Sequence, residues 1–186
     1  MSEIERGETM DFFDEVYAAI SEGDLAFLKF VAEAYPPFPF GQDTTFTRSW
    51  ITHAIHACHY TVFDWVLAQR VPVNFCDDEG YGPLKSLLEM ERQFPPALST
   101  KDVIAWIDRL MIEAGADVNF RHTLDETALH RAAMISSPAV VRHLLDCGAD
   151  PLAYDAEYAP LQPIHYAKWS RWKNEVTDIL QAAMKR

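Results

Sequence analysis

Cysteine is scarce in this sequence, and the few thiols are not paired along the chain. The three cysteines among 186 residues are Cys58, Cys76 and Cys147, and no two of them form a CxxC motif. An odd and scattered set of this kind argues against a disulfide framework and against a zinc ribbon. It favours reduced thiols, and we therefore expect a cytoplasmic location.

Long hydrophobic runs are also missing. The apolar stretches are only a few residues long, whereas a helix needs roughly 20 apolar residues to cross a bilayer. The first residues, MSEIERGETMDFFDE, are acidic and lack the hydrophobic segment of a secretory signal. Because 49% of the residues are apolar and 24% are charged, wholesale disorder is excluded as well. The sequence predicts a globular protein that neither enters nor binds a membrane.

Positive charge is in short supply. The chain carries 16 lysines and arginines against 28 aspartates and glutamates, which gives a net charge of −12. This charge would repel a phosphate backbone, so no nucleic-acid partner is expected. A protein partner with a basic surface is favoured, because opposite fields raise the rate of encounter. The alternative is that the surplus acid only keeps the protein soluble.

Catalytic motifs are absent too. The sequence contains no glycine-rich phosphate loop, no HExxH and no GxSxG. His53, His56 and His59 recur every three residues beside Cys58, and this spacing can place two imidazoles on one helix face. No second pair of ligands accompanies them, so we predict no metal site, no cofactor and no enzymatic activity. A metal-binding or enzymatic role of His53, His56 or His130 is the least favoured alternative.

What the sequence does contain is a repeated phrase. Gly115-Ala-Asp-Val-Asn119 recurs as Gly148-Ala-Asp-Pro-Leu152, 33 residues later. Between the two lie Thr127-Ala-Leu-His130, then Ala132-Ala133, then apolar residues at helical spacing from Val140 to Leu145. This order resembles the ankyrin repeat, whose usual phrase is TPLH, two alanines, a second apolar helix and GADVN. The resemblance implies an all-α fold, an ankyrin-repeat solenoid of helix pairs joined by short hairpin loops.

The rest of the chain falls into the same register. We predict a single domain over residues 1–186, with five repeats at approximately 8–42, 43–76, 77–121, 122–154 and 155–186. Each first helix has one apolar anchor position, and these positions are Val16, Ile51, Leu84, Leu129 and Ile164. The two helices of each repeat have about ten residues each. Helices this short are not stable alone in water, so neighbouring repeats must bury their apolar faces.

The largest departure from the period is an insertion between the helices of the third repeat, at about residues 91–100. Two prolines stop the helix there, and Ser99 or Thr100 can cap the next one. Phe94 and Leu98 are either exposed anchors for a partner or pins that hold the loop down.

Turn residues complete the pattern. Gly115 and Gly148 follow second helices, where glycine takes the left-handed conformation. Arg70 stands in that place in the second repeat, so either the turn differs there or Arg70 is strained. The resemblance also implies that His130 and His165, at the TPLH histidine, bridge the hairpin backbone and the neighbouring repeat.

The ankyrin family presents its hairpin tips and the inner faces of its first helices to its targets, which implies a concave, partner-binding face. Transferred position by position, the partner-binding residues are Phe46, Arg48, His56, Asp78, Glu79, Tyr81, Glu89, Thr123, Leu124, Glu126, Met134 and Trp169. Aromatic and methionine anchors between carboxylates suit a protein interface. The alternative for any one of them is packing against the next repeat.

The predicted function is therefore non-enzymatic binding of one protein partner, with a basic partner favoured. By analogy with short, acidic members of the family, one hypothesis is an immunity protein that neutralises a bacterial toxin. The second hypothesis is an effector or adaptor that acts in a eukaryotic cytoplasm. The sequence leaves the oligomeric state open.

Overall fold

The computed structural model describes residues 3–43, 47–92, 97–156 and 160–186, with side chains from Phe12 onward. Over these residues the protein is helical and has no strands, which confirms the predicted all-α fold. The helices are α1 Glu3–Glu22, α2 Leu25–Ala34, α3 Trp50–His56, α4 Tyr60–Ala68, α5 Pro83–Arg92, α6 Thr100–Ala114, α7 Ala128–Ile135, α8 Pro138–Asp146, α9 Pro163–Tyr166 and α10 Lys173–Ala183. None of the helices in the described ranges is long and apolar enough to span a bilayer.

The chain forms two compact units, Met1–Pro72 and Val73–Arg186. In the first unit α1 pairs with α2 and α3 with α4, while α1 also packs on α3 and α2 on α4. In the second unit the first helices of each pair, α5, α7 and α9, pack side by side, and so do the second helices, α6, α8 and α10. The division of the whole chain into five repeats of one domain stays a prediction.

The helices of the first unit begin and end where the local chemistry requires. Gly23 separates α1 from α2 with φ of 77°, and a Cβ atom there would lie 2.0 Å from Nε2 of His59. Asp24 then caps α2, because its Oδ1 accepts a hydrogen bond from the Phe27 amide at 3.0 Å. Ser49 caps α3 through the Thr52 amide. No residue other than glycine fits at the position of Gly23.

Aromatic rings form the core of the first unit around Trp50, which is buried. The Phe38 ring meets the Trp50 ring edge to face at 5.2 Å, and the Phe13 ring stacks on it at 5.7 Å. The predicted anchors Val16 and Ile51 are fully buried beside this cluster. Large rings contribute most of the apolar area in such a core, so Trp50 is its central residue.

The core of the second unit follows the repeat. Leu84 and Leu129 are buried at the predicted anchor positions, and Ala132 and Ala133 are fully buried on α7. The prediction for Ile164 is wrong in part, because this side chain is only half-buried. In α9 and the 3-10 turn that follows it, Tyr166 and Ala167 are buried instead.

Two asparagines repeat the same hydrogen bonds one repeat apart. Asn74 Nδ2 donates to the Gly115 carbonyl at 3.0 Å, and Asn74 Oδ1 accepts from the Asp117 amide at 2.7 Å. Asn119 makes the equivalent bonds to Gly148 and Asp150, at 3.0 and 2.8 Å. The last letter of the phrase GADVN therefore binds the backbone of the next GAD sequence. The sequence period reappears as a period of hydrogen bonds.

The turn residues behave as their positions require. Gly115 and Gly148 have φ of 72° and 92°, which confirms the predicted left-handed conformation. Arg70 adopts the same region, with φ of 59°. Of the two alternatives for Arg70, the strained backbone is the one the structure shows. A side chain in this region costs about 1–2 kcal/mol.

The ends of the insertion at 91–100 are held down by buried groups. Ser99 caps α6 through the Asp102 amide, as predicted. Leu98 is buried, so it pins the loop, whereas Phe94 lies outside the described residues. The carboxylate of Glu91 accepts hydrogen bonds from Thr100 at 2.6 Å and from the Ser137 amide at 3.0 Å. At its described ends this segment packs on the protein.

Candidate functional site

Three turns of the second unit lie next to one another and form a surface that we call the hairpin row, residues 77–81, 122–126 and 154–156. In the first turn Asp77 Oδ1 accepts hydrogen bonds from the amides of Glu79 and Tyr81, at 3.1 and 2.8 Å. Gly80 has φ of 79°, and a Cβ atom there would lie 2.5 Å from Thr123 Oγ1. The close approach of the second turn therefore requires glycine at this position.

Hydrogen bonds to backbone carbonyls join the second turn to the third. The Ala156 amide donates to the Leu124 carbonyl at 2.7 Å, and Arg121 Nη1 donates to the Tyr154 carbonyl at 2.6 Å. Leu124 has φ of 60°, and this left-handed backbone conformation sets the direction of its side chain. The three tips are thereby fixed relative to one another within the second unit.

His130 confirms the bridging role that the resemblance implies for the TPLH histidine. Its Nδ1 accepts from the Thr127 amide at 3.1 Å, and its Nε2 lies 3.1 Å from the Leu161 carbonyl, in the next loop. Burial lowers the pKa of His130, so the ring is neutral and Nε2 carries the proton that it donates. The equivalent His165 Nδ1 accepts from the Gln162 amide at 3.0 Å.

Several predicted partner-binding residues are exposed on the hairpin row. They are Asp78, Glu79, Thr123 and Leu124. Leu124 is 51% exposed, and Tyr154, which the sequence reasoning missed, is 55% exposed on the next tip. Tyr154 lies one repeat period beyond Arg121, so the register offered a signal for it. The row therefore carries two large apolar side chains that solvent reaches.

Three further predicted residues of the second unit lie at the end of the first turn, on α7 and in the 3-10 turn that follows α9. Tyr81 and Met134 are half-buried, and Met134 lies on α7, which packs against both α5 and the 3-10 turn Ala167–Trp169. Trp169 is 55% exposed and rests edge-on against Tyr166, with ring centroids 5.6 Å apart. The Lys168 ammonium lies 3.9 Å from the centre of its ring. Trp169 is the largest exposed side chain of this surface.

Glu126 belongs to a polar network that connects successive repeats. Lys85 Nζ donates to Glu126 Oε2 at 2.9 Å, and the Tyr166 hydroxyl shares its one proton between Asp155 at 2.7 Å and Glu126 at 3.1 Å. Burial and these hydrogen bonds raise the pKa of the Tyr166 phenol, so it stays a donor. Lys85 also donates to the Gly80 carbonyl at 3.2 Å. The charge of Glu126 is therefore compensated inside the protein.

The negative charge of Glu89 is also compensated by basic side chains of the protein. One carboxylate oxygen accepts from Arg131 on α7, and the other accepts from Arg92 at 3.3 Å. Two predicted partner contacts, Glu89 and Glu126, thus hold neighbouring repeats together, and their direct contact with a partner stays a prediction.

Three predicted residues belong to the first unit. Arg48 and His56 are half-buried there, and Phe46 lies outside the described residues. His53 and His59, which share a helix region with His56, face different partners. His53 Nε2 pairs with Asp43 at 2.7 Å, and His59 Nδ1 lies 3.1 Å from Thr61 Oγ1.

A different set of metal-binding side chains comes together in the second unit. In the part of the chain that the structure describes, the one group of three suited to a metal ion consists of Asp108, His143 and Cys147. The sequence reasoning missed it, although His143 and Cys147 stand four residues apart on and just after one apolar helix. That spacing was a signal for two of the three residues.

Comparison with known proteins agrees with the hydrogen-bond pattern. The ankyrin-repeat family profile matches residues 124–156. A protein of Acanthamoeba polyphaga mimivirus that is named as an ankyrin repeat protein is 28% identical over 100 residues. The match covers 53% of this chain and 56% of the viral protein, so this chain spans little more than half of its relative. These matches and the repeated Asn and His bonds support the sequence-based interpretation: the chain contains an ankyrin repeat at residues 124–156 and is similar to ankyrin-repeat proteins.

Proposed function

We propose that the protein is a non-enzymatic binding protein that holds one protein partner on the hairpin row and on the adjoining faces of α5, α7 and α9. Ankyrin repeats generally mediate protein–protein interactions, and this proposal assigns that activity to a particular surface. It includes a preference for a partner with a basic surface.

The observation that carries the proposal is the exposure of three large apolar side chains on adjoining repeats. Leu124, Tyr154 and Trp169 are each more than half exposed although each is held by an ordered turn. Such side chains lose contact with water when a partner covers them, and aromatic anchors dominate the energy of many interfaces. Because backbone bonds fix the turns beforehand, little ordering is required on binding.

Charge selects the partner in this proposal. Asp78 and Glu79 are exposed at the first tip. The exposed acids and the net charge of −12 favour a basic surface, chiefly by speeding association. The expected signature is an association rate that falls as salt is raised.

The biological role has two candidates that share this surface. An immunity protein would neutralise a basic toxin, and an effector or adaptor would act on a protein of a eukaryotic cytoplasm. Both roles place the protein in a cytoplasm, and they differ in the identity of the partner.

The test begins with retention of proteins from a lysate of the native host, after which the retained partner is prepared pure and its affinity measured. The variant Leu124→Asn with Tyr154→Ser removes two anchors, and Asn suits the left-handed turn. We expect it to weaken binding about 30-fold or more. Ile112→Asn is the matched control, because Ile112 is 82% exposed on α6, outside the hairpin row. Equal losses in both variants, or none in the first, would refute the assignment.

A second variant tests the charge. Glu79→Lys with Tyr81→Ala should slow association with a basic partner and reduce its salt dependence. If the association rate of this variant equals that of the wild type, the preference for a basic partner is wrong even if the hairpin row binds.

A further inference from the structure

Asp108, His143 and Cys147 bring an oxygen, a nitrogen and a sulfur donor to one point between α6 and α8. His143 and Cys147 lie four residues apart, and this spacing puts both side chains on one face of α8 and its cap. Asp108 faces them from α6, which packs directly against α8. The three donor atoms all lie within 4.8 Å of one another.

The distances are close to those of a tetrahedral metal site. With metal–ligand distances of about 2.0–2.3 Å, tetrahedral geometry places an imidazole nitrogen about 3.6 Å from a thiolate sulfur and about 3.4 Å from a carboxylate oxygen. His143 Nε2 lies 3.7 Å from Cys147 Sγ and 2.7 Å from Asp108 Oδ1. The distance from Nε2 to Sγ already fits a tetrahedral site. The second is that of a hydrogen bond, and it must lengthen by about 0.7 Å when a metal ion takes the place of the shared proton.

Charge and access also suit a cation. The side chains of His143 and Asp108 are 22% and 44% exposed, so an ion can enter from solvent. The carboxylates of Asp108 and Asp146 place negative charge near Cys147. A divalent cation would offset these negative charges and stabilise the thiolate that ligates it.

We propose that Asp108, His143 and Cys147 form a binding site for a borderline-soft divalent cation of the Zn²⁺ type, which connects α6 to α8. The donor set selects this class, because a thiolate and an imidazole disfavour Mg²⁺ and Ca²⁺. Three protein ligands leave the fourth position to water. On binding, the thiol proton of Cys147 leaves to solvent, while the ring proton of His143 is held on Nδ1 so that the neutral imidazole ligates through Nε2. Loss of the thiol proton makes the affinity rise with pH. This inference does not depend on the proposed partner surface.

Cobalt substitution tests the site directly. Co²⁺ is titrated into the untagged, reduced protein, and thiolate ligation is read from the near-ultraviolet charge-transfer absorption of the cobalt–sulfur bond. We expect one ion per chain, and we expect the absorption to vanish in Cys147→Ser. The double variant Cys58→Ser with Cys76→Ser is the matched control and should keep it. Absence of the absorption in the wild type, or its persistence in Cys147→Ser, would overturn the proposal.

Affinity and thermal stability supply a second readout. His143→Gln should weaken Zn²⁺ binding at least about tenfold, since loss of outer-shell partners alone costs that much in known sites. Zn²⁺ at about a hundredfold excess over its dissociation constant should raise the melting temperature of the wild type by several degrees. Neither Cys147→Ser nor His143→Gln should show this rise. A rise that is equal in all three proteins would mean that zinc binds elsewhere and would refute the site.

Discussion

The two compact units hold their helix pairs together by different means. In the first unit an aromatic cluster packs around Trp50, with Phe13 and Phe38 against its ring. In the second unit polar side chains join one repeat to the next, as Asn119 does with Gly148 and Asp150. Both units nevertheless place first helix on first helix and second helix on second helix.

The difference shows which parts of a repeat sequence are replaceable. In the second unit, side chains of the repeated phrase form hydrogen bonds with backbone groups. Only a few side-chain types can form such bonds. Apolar burial is less particular, because many combinations of large side chains fill the same space. The first unit has little of the phrase, and its helices pack in the same arrangement around aromatic rings.

The largest effect should follow from breaking the aromatic cluster. Trp50→Ala removes a buried indole and leaves a cavity, so we expect the free energy of unfolding to fall by about 3–5 kcal/mol in urea titration. Trp169→Ala is the control, because its indole is 55% exposed in the second unit and the change should be below about 0.5 kcal/mol. If the two variants lose similar stability, the comparison between the units fails.

Acid should lower the folding stability of the second unit. Burial, with the nearby Lys85 charge, lowers the pKa of His122 from 6.5 to about 4. Between these values the unfolded chain binds a proton that the folded chain does not bind, so stability is complete above pH 6.5 and falls as the pH falls toward 4. This residue alone should cost about 2 kcal/mol between about pH 7 and about pH 5.

His122→Phe isolates that contribution. The Nδ1 atom of His122 is buried and makes no hydrogen bond among the described residues, so the substitution loses nothing there. Urea titrations at the two pH values should show a smaller difference for the variant than for the wild type. An unchanged difference would show that other groups cause the loss in acid.

The smallest effects should come from the turns. Arg70→Gly relieves a left-handed non-glycine residue in the first unit and should stabilise the protein by about 0.5–1 kcal/mol. Gly115→Ala imposes the same strain in the second unit and should destabilise it by a similar amount. No atom lies within 4 Å of the added Cβ at Gly115, so backbone conformation alone sets the cost. Shifts of the same sign in both variants would contradict this explanation, as thermal unfolding would show.

The sequence was sufficient for features whose cause is local. Gly115 and Gly148 were predicted to be left-handed from their place after a helix, and the resemblance correctly implied the bridge made by His130. Partners distant along the chain could not be predicted. The repeat register placed Glu126 on a hairpin, but only packing shows that its carboxylate pairs with Lys85, 41 residues earlier. For the same reason the sequence could not show that Asp108 contacts His143, which lies 35 residues later.

The asparagine bonds carry a consequence for the length of the third repeat. Asn74 reaches a carbonyl 41 residues ahead, whereas Asn119 reaches its equivalent only 29 residues ahead, and the two bonds have the same 3.0 Å length. The additional residues therefore leave the register of the neighbouring helices intact. A peptide tag or an epitope grafted between Arg92 and Ala97 should be accommodated in the same way, which makes this segment a natural point of attachment for labels and for new binding functions.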